Sequence, residues 1–165
     1  MSLGTVTRVP AVPTRQLTVN AAFLKEIKED NQQLKVLWDQ VVPVANRVET
    51  ASNHWPDLVK RLGELRDQLA LHFALEEAYG YFDEAIDIAP QLSMTAAMLR
   101  GEHSSLYASI RDIADAAGGI STDRPERIEA CIVDFNAFRK RFERHEEAEL
   151  KLILNAMGED IGVCD

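Results

Sequence analysis

The residues that can do chemistry in this chain are His72 and Glu76, His103, and His145 and Glu149. The first and last pairs repeat one spacing, His-x-x-x-Glu. Residues four apart on a helix project from the same side, so each pair can offer an imidazole nitrogen and a carboxylate oxygen to one centre. All five interrupt stripes that are otherwise apolar, so three of the four histidines in the protein fall on core positions. Burying an unpartnered carboxylate costs on the order of several kcal/mol, so such a group must be protonated, paired or bound to a metal. Three imidazoles and two carboxylates converging from separate helices form a donor set for iron, zinc or manganese. A metal-free network of His–Glu hydrogen bonds, which would fix the helix register, stays open beside that reading.

The stripes themselves define the elements. Helix 1 is expected from a cap at Asn20 to about Glu49, striped by Leu24, Ile27, Leu34, Trp38, Val41, Ala45 and Val48, with Asn31 in the gap and a kink at Pro43. Helix 2 begins near Pro56, where proline suits a first turn, and carries Leu58, Leu62, Leu65, Leu69, His72, Glu76, Tyr79 and Asp83. Pro90 and Gly118-Gly119 bracket helix 3, striped by Leu92, Ala96, Leu99, His103, Leu106, Ile110, Ile113 and Ala117. Helix 4 opens between Ser121 and Pro125, ends before Gly158, and carries Ile128, Ile132, Phe135, Phe138, Phe142, His145, Glu149 and Leu152. Steps of three and four keep each stripe on one face. Four such helices with short connections bury those faces best as an all-α, antiparallel up-down-up-down four-helix bundle spanning 20–157. Residues 1–19, with Pro10 and Pro13 and no period, read as an extended arm, and 158–165 as a C-terminal tail. Measured from the turns, His72 and His103 lie at similar heights. His145 is about 20 residues into helix 4 while His103 is about 15 before Gly118, an offset of several ångströms at ~1.5 Å per residue.

At 165 residues the chain suits one domain with a real core. A net charge of −9 argues against nucleic acid and against anionic lipid as partners. No apolar run approaches the roughly 20 residues of a membrane span, and the first residues do not read as a secretory signal. Cys131 and Cys164 are expected to be reduced thiols, and the protein cytoplasmic. No CxxC, Walker-type loop or GxGxxG run supports a dithiol or nucleotide reading.

The segments LALHFALEEAYGYF (69–82), MLRGEHSSLYASI (98–110) and RFERHEEAELKLIL (141–154) resemble the hemerythrin-like, or HHE cation-binding, family, over about residues 24–157. The resemblance implies a four-helix bundle holding a di-iron centre. His72, Glu76, His103, His145 and Glu149 would be its ligands, with Glu76 and Glu149 as the bridges. Two departures weaken the set. Asn31, in IKEDNQQL, stands where the family's first helix carries a histidine. Leu99 and Tyr107 occupy the places where oxygen carriers have a second helix 3 histidine. Asn31 and Tyr107 are then weak ligands at most, and reduced affinity, a mono-iron site or no metal is expected. Glu77 and Glu102, beside the ligands, are candidates to orient histidines. Glu146 and Glu147 read as a solvated face, and His54 as a surface or capping residue. The function implied is a protein that binds non-haem metal, iron first, and handles or senses iron, dioxygen, nitric oxide or peroxide through a small ligand at an open position. Reversible oxygen transport fits the depleted set least. The alternatives are a metal-free bundle acting as an interaction or regulatory module and, last because no substrate pocket is evident, a di-metal oxidase or peroxidase.

Overall fold

The computed structural model describes residues 14–80 and 82–162, with the side chains of 29–158 apart from 79, 81 and 84. The described chain is all-helical: α1 (Thr14–Ala45), α2 (Val48–Asn53), α3 (Trp55–Tyr79), α4 (Asp83–Ile88), α5 (Ser93–Gly118) and α6 (Pro125–Gly162), with a 3₁₀ turn at Pro90–Leu92 before α5.

Several boundaries differ from the sequence expectation. The first helix starts at Thr14 rather than Asn20, so 14–19 are helical and not part of an extended arm; 1–13 lie outside the described residues. Both prolines of the expected arm precede Thr14, and nothing after them obstructs a helical backbone. The same helix stops at Ala45, two residues past Pro43, and the chain restarts as the separate α2 instead of running on to Glu49. Proline removes the donor that would tie the last turn back, so the helix ends there rather than kinking. Asp83 is not on the α3 stripe, because Gly80 caps that helix in the left-handed region at φ 61 and Asp83 opens α4. A side chain at Gly80 would collide with the Asp83 carboxyl. At the other end α6 passes through Gly158 to Gly162, so most of the expected tail is helix. An interior glycine costs about 1 kcal/mol, too little to stop a helix held by the rest of its face.

Side chains on the long helices meet in opposed order. Asp30 of α1 meets Gln68 and His72 of α3, while Gln40 meets Arg61. Arg66 meets Asp115 of α5, while Glu77 meets His103. Arg141 of α6 donates to Ser105 and Ser109, and Asn136 donates to the Ala45 carbonyl at 3.2 Å. At the far end the Trp55 indole donates to the Ile120 carbonyl at 3.0 Å, pinning the start of α3 to the α5–α6 connection.

Among the described residues the interior has two apolar clusters. The larger includes Leu58, Leu65, Leu69, Ile110, Phe135 and Phe142, with Trp38 stacked obliquely on Phe142 at 5.2 Å between ring centres. Each fully buried Leu or Phe stabilises the fold by about 1.5–3 kcal/mol. The smaller includes Phe82, Ala85, Ala96, Leu99, Leu152 and Ala156. The polar residues of the stripes fall between the two, as the order Leu99–His103–Leu106 on α5 and Phe142–His145–Glu149–Leu152 on α6 requires.

Candidate metal centre

His72 and Glu76 enter the interior from α3, His103 from α5, and His145 and Glu149 from α6, and all five are buried. The height offset foreseen for His145 does not keep it away: its ring centre is 5.0 Å from that of His103, and the connection 119–124 lets α6 start at the height required.

Each imidazole is held from behind by a carboxylate at Nδ1. Asp30 lies 2.7 Å from His72, Glu77 3.2 Å from His103, and Glu102 2.9 Å from His145. An ionised carboxylate only accepts, so each Nδ1 carries the proton and each Nε2 is turned inward. There the Nε2 atoms face more carboxylate oxygens. His72 Nε2 is 3.2 Å from Glu76 and 3.3 Å from Glu146. His103 Nε2 is 3.4 Å from both Glu76 and Glu149, and His145 Nε2 is 3.1 Å from Glu149. Glu76 thus turns one oxygen to His72 and the other to His103.

A neutral imidazole with its proton on Nδ1 presents a lone pair at Nε2, and a carboxylate oxygen presents another. Two acceptors at these distances attract only through a cation between them, either a proton or a metal ion. The protonation preferences express the same demand. For His72, burial favours the neutral ring, but the Asp30 and Glu146 hydrogen bonds and the field of Glu76 prevail and push it up to about 10. His145 is raised as well, with burial opposed by Glu149 and Glu102. Burial pushes Glu76 up to about 8, assisted by Glu149 and Glu146 and opposed by His72. For Glu149 burial acts upward, but the His103 hydrogen bond and the nearby His145 hold it below the usual carboxylate range.

The residues present fit a metal. Oxygen and nitrogen ligands about 2.1 Å from one ion, at angles of about 90–110°, lie roughly 3.0–3.4 Å apart, and the inward contacts span 3.1–3.4 Å. Glu76 Oε2 and His145 Nε2 are buried without a hydrogen bond. Among the described residues, two groups place one donor from each residue within 4.8 Å of the others: Glu76, His103, His145 and Glu149, all buried, and His72, Glu76 and Glu146. The model of the hemerythrin HHE cation-binding domain matches residues 22–157. The chain belongs to the hemerythrin HHE family. Neither a curated protein nor a solved structure matches it. No described helix is long and apolar enough to cross a membrane.

Within this HHE domain two sequence assignments change. Asn31, placed in the core gap of helix 1, is exposed, and the inward position belongs to its neighbour Asp30, which is buried. Glu146, read as part of a solvated face, reaches His72. Both were hidden by the helical period: Asp30 and Asn31 lie three and four residues after Ile27, so the stripe admits either. Glu146 lies four after Phe142 and three before Glu149, on the flank of the α6 face. A carboxylate is the better partner for a buried imidazole, and that chemistry was the available signal for Asp30. Tyr107 packs half-buried against the larger apolar cluster. His54 is exposed at the cap position of α3 and makes no side-chain cap bond.

Proposed function

We propose that this protein is a non-haem iron-binding domain, with His72, Glu76, His103, His145 and Glu149 as ligands and Glu76 as the bridge between cation positions. The opposed contacts along α1, α3, α5 and α6 support an antiparallel up-down-up-down bundle as the scaffold, with α2 and α4 as short additions. One observation carries the reading: the three Nε2 atoms face carboxylate oxygens at distances only an intervening cation makes favourable. A metal-free polar network is a poorer account, because it leaves Glu76 Oε2 and His145 Nε2 without hydrogen bonds in a buried site.

When bound, iron supplies a redox-active centre that can accept a small ligand such as dioxygen, nitric oxide or peroxide. The chain's own residues prepare that centre. Asp30, Glu77 and Glu102 lock the imidazole tautomer and raise the basicity of Nε2. Phe73, stacked on His103 at 4.6 Å, and Phe142 keep water from the inner face. The depleted helix 1 contribution favours handling or sensing over reversible oxygen carriage. Elemental analysis of anaerobically purified protein is expected to find iron in the wild type and less in His145→Ala. Protein that takes up no Fe(II), and whose melting temperature ignores it, would sink the reading.

A further inference from the structure

The inner group is closed: Glu76, His103, His145 and Glu149 are all buried, and three helices supply them. The second group differs in kind. His72 and Glu76 are buried, but the Glu146 side chain is 37% exposed. It lines a groove of about 390 Å³ between α1 and α6, together with Asn31, Trp38 and Phe142. Among the described residues, α1 sends no donor to this position. Its inward carboxylate, Asp30, is fully engaged, accepting from His72 Nδ1 with one oxygen and from Gln68 Nε2 at 2.7 Å with the other. The third donor therefore comes from α6. Glu146 Oε1 stands 3.3 Å from His72 Nε2, on the side facing the groove, and Glu76 Oε1, 3.2 Å from the same nitrogen, shares the site.

Resting on the reading of the cluster as an iron site, we infer that Glu146 is itself a metal ligand. With His72 and Glu76 it defines an outer cation position, open to solvent and exchangeable, beside the closed inner one. Asp30 is a positioning residue for this site, acting through His72. One imidazole and two carboxylates make the outer position harder than the inner, which has two imidazoles, so it suits Fe(II) or Mn(II) better than Zn(II). Its remaining coordination places face the groove, so a small ligand arriving from solvent reaches this cation first. The place left by the helix 1 substitution is thus filled from the neighbouring α6, and the two cations differ in affinity and exchange rate.

The test is an anaerobic Fe(II) titration of chelator-treated wild type, Glu146→Gln, Glu147→Gln and Glu149→Gln proteins, with metal per chain counted by elemental analysis before and after a weak chelator. Wild type and the exposed-neighbour control Glu147→Gln are expected to hold two ions and to release one to the chelator. Glu146→Gln is expected to hold only the retained ion, and Glu149→Gln to lose the chelator-resistant one. Glu146→His, which offers a nitrogen from the same place, should regain the second ion, and circular dichroism of the metal-free variants checks that they fold. Two ions with unchanged chelator sensitivity in Glu146→Gln would overturn the inference while leaving the inner site standing. A wild type that binds no metal would overturn both.

Discussion

Replacing Asp30 should separate the two proposed cation positions without touching a proposed ligand. Asp30 is 4% exposed, and both its oxygens accept, from His72 Nδ1 and Gln68 Nε2, each at 2.7 Å. In Asp30→Asn the amide keeps one acceptor, so the His72 contact survives if Gln68 rotates its own amide, and mainly charge is lost. In Asp30→Ala both contacts vanish, and the imidazole is free to turn or to move its proton to Nε2. Losing the partner that orients a metal-bound histidine typically weakens metal affinity about 10–100-fold, or about 1.4–2.7 kcal/mol. Asn should fall near the lower bound and Ala near the upper. His103 and His145 have carboxylates of their own in Glu77 and Glu102, so the inner position should change little. Competition of Fe(II)-loaded protein with a chelator of known affinity resolves two release steps, of which only the weaker should move. Equal weakening of both steps, or no shift in either variant, would refute the assignment of Asp30 to His72 alone.

Other outcomes follow from the same geometry. Saturating Fe(II) at 100 times its dissociation constant should stabilise the fold by about 2.7 kcal/mol, raising the melting temperature by roughly 5–10 °C in differential scanning fluorimetry; an unmoved transition counts against metal binding. In the chelator-treated protein, His72 at about 10 and Glu76 at about 8 both lie above their unfolded values of 6.5 and 4.5, so the folded state holds the extra protons. Their stabilisation is present in mild acid and is lost as pH climbs, so the urea midpoint should fall between about pH 5 and about pH 10. Glu149, shifted the other way, removes stability only in stronger acid. Metal affinity should run opposite, rising with pH as the ligands deprotonate. Truncating Phe142, which is buried against Trp38 and Phe138, should cost about 3–5 kcal/mol by urea denaturation, with or without metal.

Much of the site was legible because a polar residue on an apolar helical face is expensive. His72, Glu76, His103, His145 and Glu149 announced themselves by interrupting stripes, and all five are buried together. What the pattern could not settle was direction within one turn. Adjacent helical residues differ by about 100°, and a stripe spans at least that width, so Asp30 and Asn31 were equally admissible. Glu146 was obscured for a related reason, since its neighbour His145 holds the centre of the face and Glu146 looks sideways towards α1. The short α2 and α4, at six residues each, are below the window in which periodicity carries information. The helix ends at Thr14 and Gly162 escape the sequence pattern because prolines ahead of a helix do not obstruct it and a glycine within one costs too little to stop it.

The buried histidines and glutamates lie between two apolar plugs of different size. On one side the long helices interlock through Trp55, Phe135 and Phe138, with the indole latch to Ile120 behind them. On the other, the smaller plug depends on Phe82 and Ala85, carried at the head of the six-residue α4. Detaching α4 sacrifices little of the bundle, whereas opening the opposite end amounts to global unfolding. Amide exchange along 83–92 should therefore outpace that along 106–114. Opening of the described helices is expected first at the α4 end, away from the Trp55 latch.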